Sequence, residues 1–261
     1  MKKSTKGWLL TAIILILLGG AIFTVIMSLL NWDFMRLSTV KYETNKYEIT
    51  ENFENVSIIS NTADIEILPC ADDKSTILCY EGKDEKHSVL VKDNTLLIEY
   101  QSKKEWYQYI GVNFNTSKIT VYLPKTEFEN FLIKTRTSDI EIKDISLGGL
   151  DIYVTTGDVF LTNINCENVV LKGNTGDATL RDVIAKEKFS IERSTGDVEI
   201  ENSDANEIFI KTSTGDVEGS LLSEKVFIAK SNTGDVEVPK TTKGGKCEVV
   251  TNTGDIEIDI K

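Results

Sequence analysis

The segment Ser194-Thr195-Gly196-Asp197-Val198-Glu199-Ile200 carries the motif that decides the fold. Thr-Gly-Asp occurs six times in the second half of the chain, and successive copies are separated by 19, 20, 19, 19 and 20 residues. The copies end at Asp158, Asp177, Asp197, Asp216, Asp235 and Asp255. A period this regular indicates a repeat architecture, in which each unit packs on its neighbours.

Apolar residues flank every copy at fixed positions. The residues eight and six before the Asp, and one and three after it, are almost all apolar and alternate with polar residues. This alternation predicts two short strands per unit, joined by the Thr-Gly-Asp corner, with like positions stacked as the core. Gly suits a corner that needs positive φ. Ser138 and Ala63 replace Gly in two earlier copies, so those corners must adopt a different turn or tolerate strain.

The first part of the chain predicts a membrane anchor. Residues 8–30 are apolar and uncharged, and at about 1.5 Å per helical residue they span roughly 34 Å, enough to cross a bilayer. Lysines in residues 1–7 place that tail in the cytoplasm. The alternative is a cleaved signal peptide, but the segment is longer than such peptides have and lacks an Ala-x-Ala-like site. We therefore expect an uncleaved anchor in the cell membrane.

The remaining chain divides by its regularity. Residues 31–48 predict a polar linker, and residues 49–261 an extracytoplasmic β domain with an irregular stretch at 69–124 and regular repeats at 131–258. Within the irregular stretch, Asp93-Asn94 predicts a tight hairpin turn between two strands. The array ends at Lys261 without a distinct capping element, so we expect an exposed sheet end there. Either this end docks on a partner or on itself, or the charged Asp259 and Lys261 blunt the edge.

Charge and composition exclude several partners and sites. The net charge is −12, and since the three lysines of residues 1–30 contribute +3, residues 31–261 carry −15. Such a domain repels nucleic acid and anionic lipid heads. The chain has no Cys-x-x-Cys motif and one histidine, His87, so a zinc site is not expected. We expect His87 to lie in a solvated loop. Cys70 and Cys79 either form a disulfide or remain thiols.

Two kinds of binding site are candidates. Stacked Asp residues, with Glu two positions further on, create an acidic stripe that would suit Ca²⁺; alternatively, each Asp caps its corner by accepting backbone N–H bonds. The metal candidates are Asp158, Asp177, Asp197, Asp216, Asp235 and Asp255. Stacked Thr residues predict a structural hydroxyl ladder. The aromatic candidates for partner or glycan contact, or for capping the core, are Trp106, Tyr107, Tyr109 and Phe114.

A membrane anchor, strands ending in Val121-Tyr122-Leu123-Pro124 and repeated Thr-Gly-Asp-Val-Glu-Val units together resemble the bacterial "putative adhesin" family, a family of unknown function common in Gram-positive envelopes. The resemblance covers roughly residues 50–261. It implies an all-β, right-handed β-solenoid, or β-helix, of 19–20-residue coils behind one transmembrane helix. No catalytic residues are carried over from it.

The function implied is that of a non-enzymatic, membrane-anchored cell-envelope protein, an adhesin-like module that binds wall polymer or another envelope protein. The alternative is an accessory protein in envelope-stress signalling that acts through membrane partners. A carbohydrate-active enzyme is the third candidate. It is disfavoured because a catalytic pair should break the repeat pattern locally, and the array shows no such exception.

Overall fold

The computed structural model describes residues 3–38, 40–72, 74–103, 115–124 and 127–261. The described chain is mostly β, with one long N-terminal helix. It separates into two compact units. The first includes the residues up to Lys41, and the second contains Tyr42–Lys103 and Thr116–Lys261.

The first unit contains helix α1, Lys3–Leu29. Its apolar side chains are largely exposed; Trp8, Ile16 and Leu29 are each more than 70% exposed. The segment Thr5–Leu29 has a mean hydropathy of 2.8, so by length and composition it can cross a membrane. A helix that exposes so much apolar surface needs an apolar environment around it.

The second unit is built from strands, and a 3-10 helix at Phe34–Leu37 precedes it in the chain. The strands are β1 Tyr42–Ile49, β2 Asn55–Ile59, β3 Asp64–Cys70, β4 Ser75–Gly82, β5 Glu85–Lys92, β6 Thr95–Ser102, β7 Lys118–Pro124, β8 Glu127–Thr137, β9 Ile140–Thr156, β10 Val159–Thr175, β11 Ala178–Thr195, β12 Val198–Lys211, β13 Val217–Leu221, β14 Lys225–Thr233, β15 Val236–Glu237, β16 Gly245–Thr253 and β17 Ile256–Ile260.

Strands of successive repeats pair in parallel and in register. Val159 on β10 pairs with Ile140 on β9 and with Ala178 on β11, each 19 residues away. The 20-residue interval between Asp177 and Asp197 keeps this register, because β11 takes up its extra residue as an irregularity just after Ala185. Each repeat is named below by its Asp.

The predicted apolar columns form the core. In the Asp197 repeat, Phe189, Ile191, Val198 and Ile200 are all at most 2% exposed. Burial of each such side chain contributes about 1.5–3 kcal/mol. One repeat alone would leave these side chains half in water, so the stacking of neighbours supplies most of this contribution.

A third inward-facing segment was not predicted from the sequence. It follows a bend at the fifth residue after the Asp, where Asp or Asn adopts a left-handed φ, as Asn163 does at 53°. The residues six and eight positions after the Asp then point inward; in the Asp158 repeat they are Ile164 and Cys166. The equivalent bends are at Asp144, Asn163, Asp182 and Asn202. The signal is weak because small residues such as Ala185 occupy this segment.

The last two repeats stack out of sequence order. Strand β12 pairs with β16, and β16 pairs with β14 on its other side; likewise β17 pairs with both β13 and β15. The expectation that the C-terminal repeat forms the exposed end is therefore wrong, because the Asp235 repeat lies there instead. Gly244 and Gly245 permit the crossing. A Cβ on Gly245 would lie 1.7 Å from the carbonyl oxygen of Asn206.

The irregular stretch adds one layer and a cap at the other end. Strands β6 and β7 pair in parallel with β2 and β3 of the Asp64 repeat. Strands β5, β4 and β1 form the cap: β5 pairs antiparallel with β6, β4 with β7, and β1 with β4. Asp93 and Asn94 both have positive φ, which confirms the predicted hairpin turn. Strand β1 covers residues 42–48 and pairs with β4, so this part of the linker predicted at residues 31–48 belongs to the β unit instead.

The stacking order can be tested by cross-linking. Thr214 pairs with Thr253, which in turn pairs with Thr233, so Thr214 and Thr233 lie two strands apart, roughly 10 Å. We predict that the double variant Thr214→Cys with Thr253→Cys forms a disulfide on mild oxidation, whereas Thr214→Cys with Thr233→Cys does not, because disulfides need Cα atoms within about 7 Å. Gel mobility after proteolysis measures both. The opposite result would indicate stacking in sequence order.

Candidate functional site

The Thr-Gly-Asp corners bring backbones of neighbouring repeats very close together. Gly196 has a φ of 135°, and a Cβ on it would lie 2.0 Å from the carbonyl oxygen of Gly176. Glycine is therefore needed both for its conformation and for the close approach. Ser138 and Ala63, at the two corners without Gly, do not have positive φ, and the Ser138 hydroxyl lies 2.6 Å from that of Thr135.

The Asp side chains form a continuous ladder of hydrogen bonds. In every repeat except that of Asp235, one carboxylate oxygen accepts the backbone N–H of the Asp in the adjacent repeat, over 2.7–3.0 Å. In stacking order the ladder runs through Asp64, Asp139, Asp158, Asp177, Asp197, Asp216, Asp255 and Asp235. The predicted metal candidates thus bond to the neighbouring repeat, not to their own corner, and Asp235 ends the ladder.

The acidic stripe continues on the exposed face beside the ladder. Glu199, Glu218, Glu257 and Glu237 pair with one another across four adjacent strands. Neighbouring strands are about 4.8 Å apart, so these carboxylates repel one another. Among the described residues, none of the four forms an ion pair. A shallow cleft of about 210 Å³ near Asp197 includes Glu199 and Glu218.

Arg193 places one positive charge behind the ladder. Its side chain is 3% exposed and lies in the space that Gly173 leaves in the neighbouring repeat. Burial lowers the pKa of Arg193, while the nearby carboxylates of Asp158 and Asp177 oppose that shift. Its Nη2 donates to the backbone carbonyl of Asp177 over 3.0 Å. This guanidinium therefore offsets part of the repulsion between neighbouring Asp residues.

The Thr column is a ladder, as its spacing predicted. Thr156 pairs with Thr137 on one side and Thr175 on the other, and the pairing continues through the swapped repeats. The column comprises Thr137, Thr156, Thr175, Thr195, Thr214, Thr253 and Thr233, all exposed.

The predicted aromatic contact residues lie outside the described residues. They are Trp106, Tyr107, Tyr109 and Phe114.

A buried polar cluster in the cap was not predicted. His87, expected in a solvated loop, lies instead on strand β5 and is 4% exposed. It faces Glu81, which is 1% exposed, and Cys79, which is 0% exposed, on strand β4. The alternation of β4 places Cys79 and Glu81 on one face, and that period-two pattern was the available signal.

Hydrogen bonds fix the orientation of the histidine ring. His87 Nδ1 lies 2.8 Å from Glu81 Oε2, and Nε2 lies 3.1 Å from the hydroxyl of Ser60. Glu81 Oε2 also accepts the backbone N–H of His87, and Oε1 accepts from Asn45 Nδ2 over 2.7 Å. A neutral ring that donates from Nδ1 to Glu81 can accept from Ser60 at Nε2. The same nitrogens could act as a general base or bind a metal ion.

All four cysteines are free thiols. Cys70 is half-buried at the end of β3, and Cys79, Cys166 and Cys247 are buried. Burial raises the pKa of each of these three thiols to about 12, so they stay protonated in the absence of a metal ion. Of the two options for Cys70 and Cys79, the structure has the separate thiols.

A groove of about 730 Å³ runs along the third segment of the repeats. Its lining is rich in polar side chains, including Asn130, Asn165, Asn168 and Glu167. Gly148 also lines it, where a Cβ would lie 2.6 Å from the carbonyl oxygen of Glu129. Asparagine and carboxylate side chains can exchange hydrogen bonds with the hydroxyl and amide groups of a ligand. The groove therefore suits an extended polar ligand.

Comparison with known proteins gives one family match. The sequence profile described as Toastrack DUF4097 matches residues 53–261, most of the chain. No curated protein gives a significant match.

Several solved structures are also similar. A "putative adhesin" from Bacteroides fragilis has 20% identity and a TM-score of 0.54, over 85% of this chain and 97% of that chain. A "putative cell adhesion protein" from Clostridium sporogenes has 15% identity and a TM-score of 0.34, over 85% and 100%. A "putative lipid binding protein" from Parabacteroides distasonis has 15% identity and a TM-score of 0.33, over 86% and 98%. The protein from Bacteroides fragilis thus shares the fold of this chain.

The Asp ladder yields a stability prediction. Asp197→Ala removes the acceptor for the Asp216 N–H and should lower the free energy of unfolding by about 1 kcal/mol. Asp235→Ala is the matched control. Among the described residues Asp235 accepts no such N–H, so this change should have almost no effect. Thermal unfolding of both variants measures the difference. Equal effects would contradict the ladder's role, and a rise in Tm with millimolar Ca²⁺ that Asp197→Ala abolishes would indicate cation binding instead.

Proposed function

The chain belongs to the Toastrack DUF4097 family, and from this we propose that it is a membrane-anchored protein of the bacterial cell envelope with an adhesin-like surface binding module. Its β unit would act by binding, without catalysis. The observation that carries the proposal is the exposed apolar helix α1 in the same chain as a regular array of strands with a polar groove.

The anchor assignment rests on α1. The apolar side chains of its segment Thr5–Leu29 are largely exposed, so a bilayer is the natural environment for it. Lys2, Lys3 and Lys6 favour a cytoplasmic N-terminus, and Trp8 and Trp32 fit the two interfaces. We propose that α1 is retained as a single transmembrane span, with residues 49–261 outside the cell.

We also propose that the array is a right-handed β-solenoid of 19–20-residue coils. Parallel pairing between residues 19 or 20 apart supports a coil of that length. A right-handed path is the general preference for parallel strands that are connected by crossovers.

The groove is the proposed contact surface. Three repeats contribute to it, so an extended ligand could lie across several at once. The net charge of −15 on residues 31–261 disfavours nucleic acid and anionic lipid as partners. A polar or cationic wall polymer, or another envelope protein, meets these conditions. A membrane partner would instead support a role in envelope-stress signalling.

The proposed topology predicts which thiol reacts on intact cells. A membrane-impermeant maleimide should label the full-length protein at Cys70, which is half-buried, and not at the three buried cysteines. Cys70→Ser should abolish the labelling. Labelling that appears only after the cells are lysed would place the β unit in the cytoplasm and contradict the proposal.

The groove predicts a binding defect. Asn165→Ala with Asn168→Ala should weaken binding to isolated cell walls at least tenfold, because both side chains line the groove. Asn232→Ala with Asn252→Ala is the matched control, since that hydrogen-bonded pair is also exposed but lies outside the groove lining. Sedimentation of the purified protein with cell walls measures both. Equal binding by the two variants would exclude the groove as the contact surface.

A further inference from the structure

The cap holds three metal-ligand side chains in one buried cluster. One donor atom each from Cys79, Glu81 and His87 lies within 4.8 Å of the other two. Cys79 and Glu81 are two residues apart on β4, and His87 is on the next strand, β5. The two strands are joined by a two-residue turn, and each is held by pairing to other strands, β4 to β1 and β7 and β5 to β6. All three side chains are therefore fixed near one another, and small rotations would bring the donors to a common centre.

The surrounding bonds are those that a metal site uses to orient its ligands. If a metal ion binds His87 Nδ1 and Glu81 Oε2, which are 2.8 Å apart, the ring proton moves to Nε2 and is donated to Ser60, 3.1 Å away. The second oxygen of Glu81 is already held by Asn45. Such outer bonds set the tautomer of a ligating histidine and the position of a ligating carboxylate.

Charge balance favours a dication at this position. Glu81 is 1% exposed, and its one ion-pair partner among the described residues is His87. A buried carboxylate is costly unless positive charge compensates it. A dication with one carboxylate and one thiolate is neutral overall. In binding, the thiol of Cys79 loses its proton to solvent as the metal–sulfur bond forms.

We propose that Cys79, Glu81 and His87 bind a divalent transition-metal ion, preferably zinc. Thiolate, imidazole and carboxylate are all established zinc ligands, whereas Ca²⁺ takes oxygen ligands and would reject two of the three. The three side chains leave a fourth position for water. The ion would join β4 to β5 and, through Ser60, to the Asp64 repeat, so it would fasten the cap to the array.

Cobalt substitution tests this site directly. The untagged full chain, purified in detergent under reducing conditions and freed of metal by a chelator, is titrated with Co²⁺. One Co²⁺ per chain should bind and give thiolate-to-cobalt charge-transfer absorption, which equimolar Zn²⁺ should displace. Cys79→Ala should abolish the absorption. Cys166→Ala, which removes another buried thiol, should leave it unchanged. Absorption that is absent in the unmodified protein, or equal in the two variants, would overturn the proposal.

The outer bond gives a second, independent measurement. Ser60→Ala keeps all three ligands, so the absorption should persist while the affinity for Zn²⁺ falls 10- to 100-fold. Zn²⁺ should also raise the Tm of the unmodified protein and of Cys166→Ala, because binding to the folded state stabilises it. This Tm measurement does not depend on whether Cys79→Ala folds. A Tm that does not respond to Zn²⁺ in either protein would exclude the site.

Discussion

The close approach of backbones at the glycine corners is the constraint on which the array depends. With no side chain at Gly196, the corner lies almost against the carbonyl of Gly176, which brings three bonds within reach. The Gly N–H meets the Thr carbonyl of the next repeat, the Asp N–H meets the neighbouring carboxylate, and the following N–H meets the Asp carbonyl. The apolar columns can stack in register because these bonds align each corner with the corner of the neighbouring repeat.

Much of the array was predictable from the sequence because the same apolar and corner positions recur in every repeat. Apolar residues such as Phe189 and Ile191 recur at fixed distances from the Asp, so their burial follows from alternation alone. The third segment was less predictable, since residues such as Ala185 carry little hydrophobic signal. The stacking order of the last repeats depends on which edges meet in space, and identical motifs cannot specify that. Gly244-Gly245 was the available clue, as an unusual break in the last interval.

The arrangement of the cap, in contrast, could not be predicted from the sequence. Its residues do not repeat, so the position of His87 could not be read by comparison with other units. An isolated histidine among charged residues is usually solvated, but here the pairing of β5 with β6 turns it inward. The partners of His87 are Tyr47 on β1, Glu81 on β4 and Ser60 at the corner after β2, up to 40 residues away in sequence. Only the folded topology brings them together.

The exchanged stacking order of the Asp235 and Asp255 repeats also constrains the order in which the chain can fold. When residues up to the Asp235 repeat have been synthesised, the edge of β12 is open, but that repeat does not occupy it in the final structure. The place belongs to β16 and β17, which follow the Asp235 repeat in the chain. A chain that folded strictly in the order of its synthesis would put the wrong repeat on that edge. Native assembly therefore has to wait for β16 and β17, and a chain truncated before Gly245 would lack the layer that connects the Asp216 and Asp235 repeats.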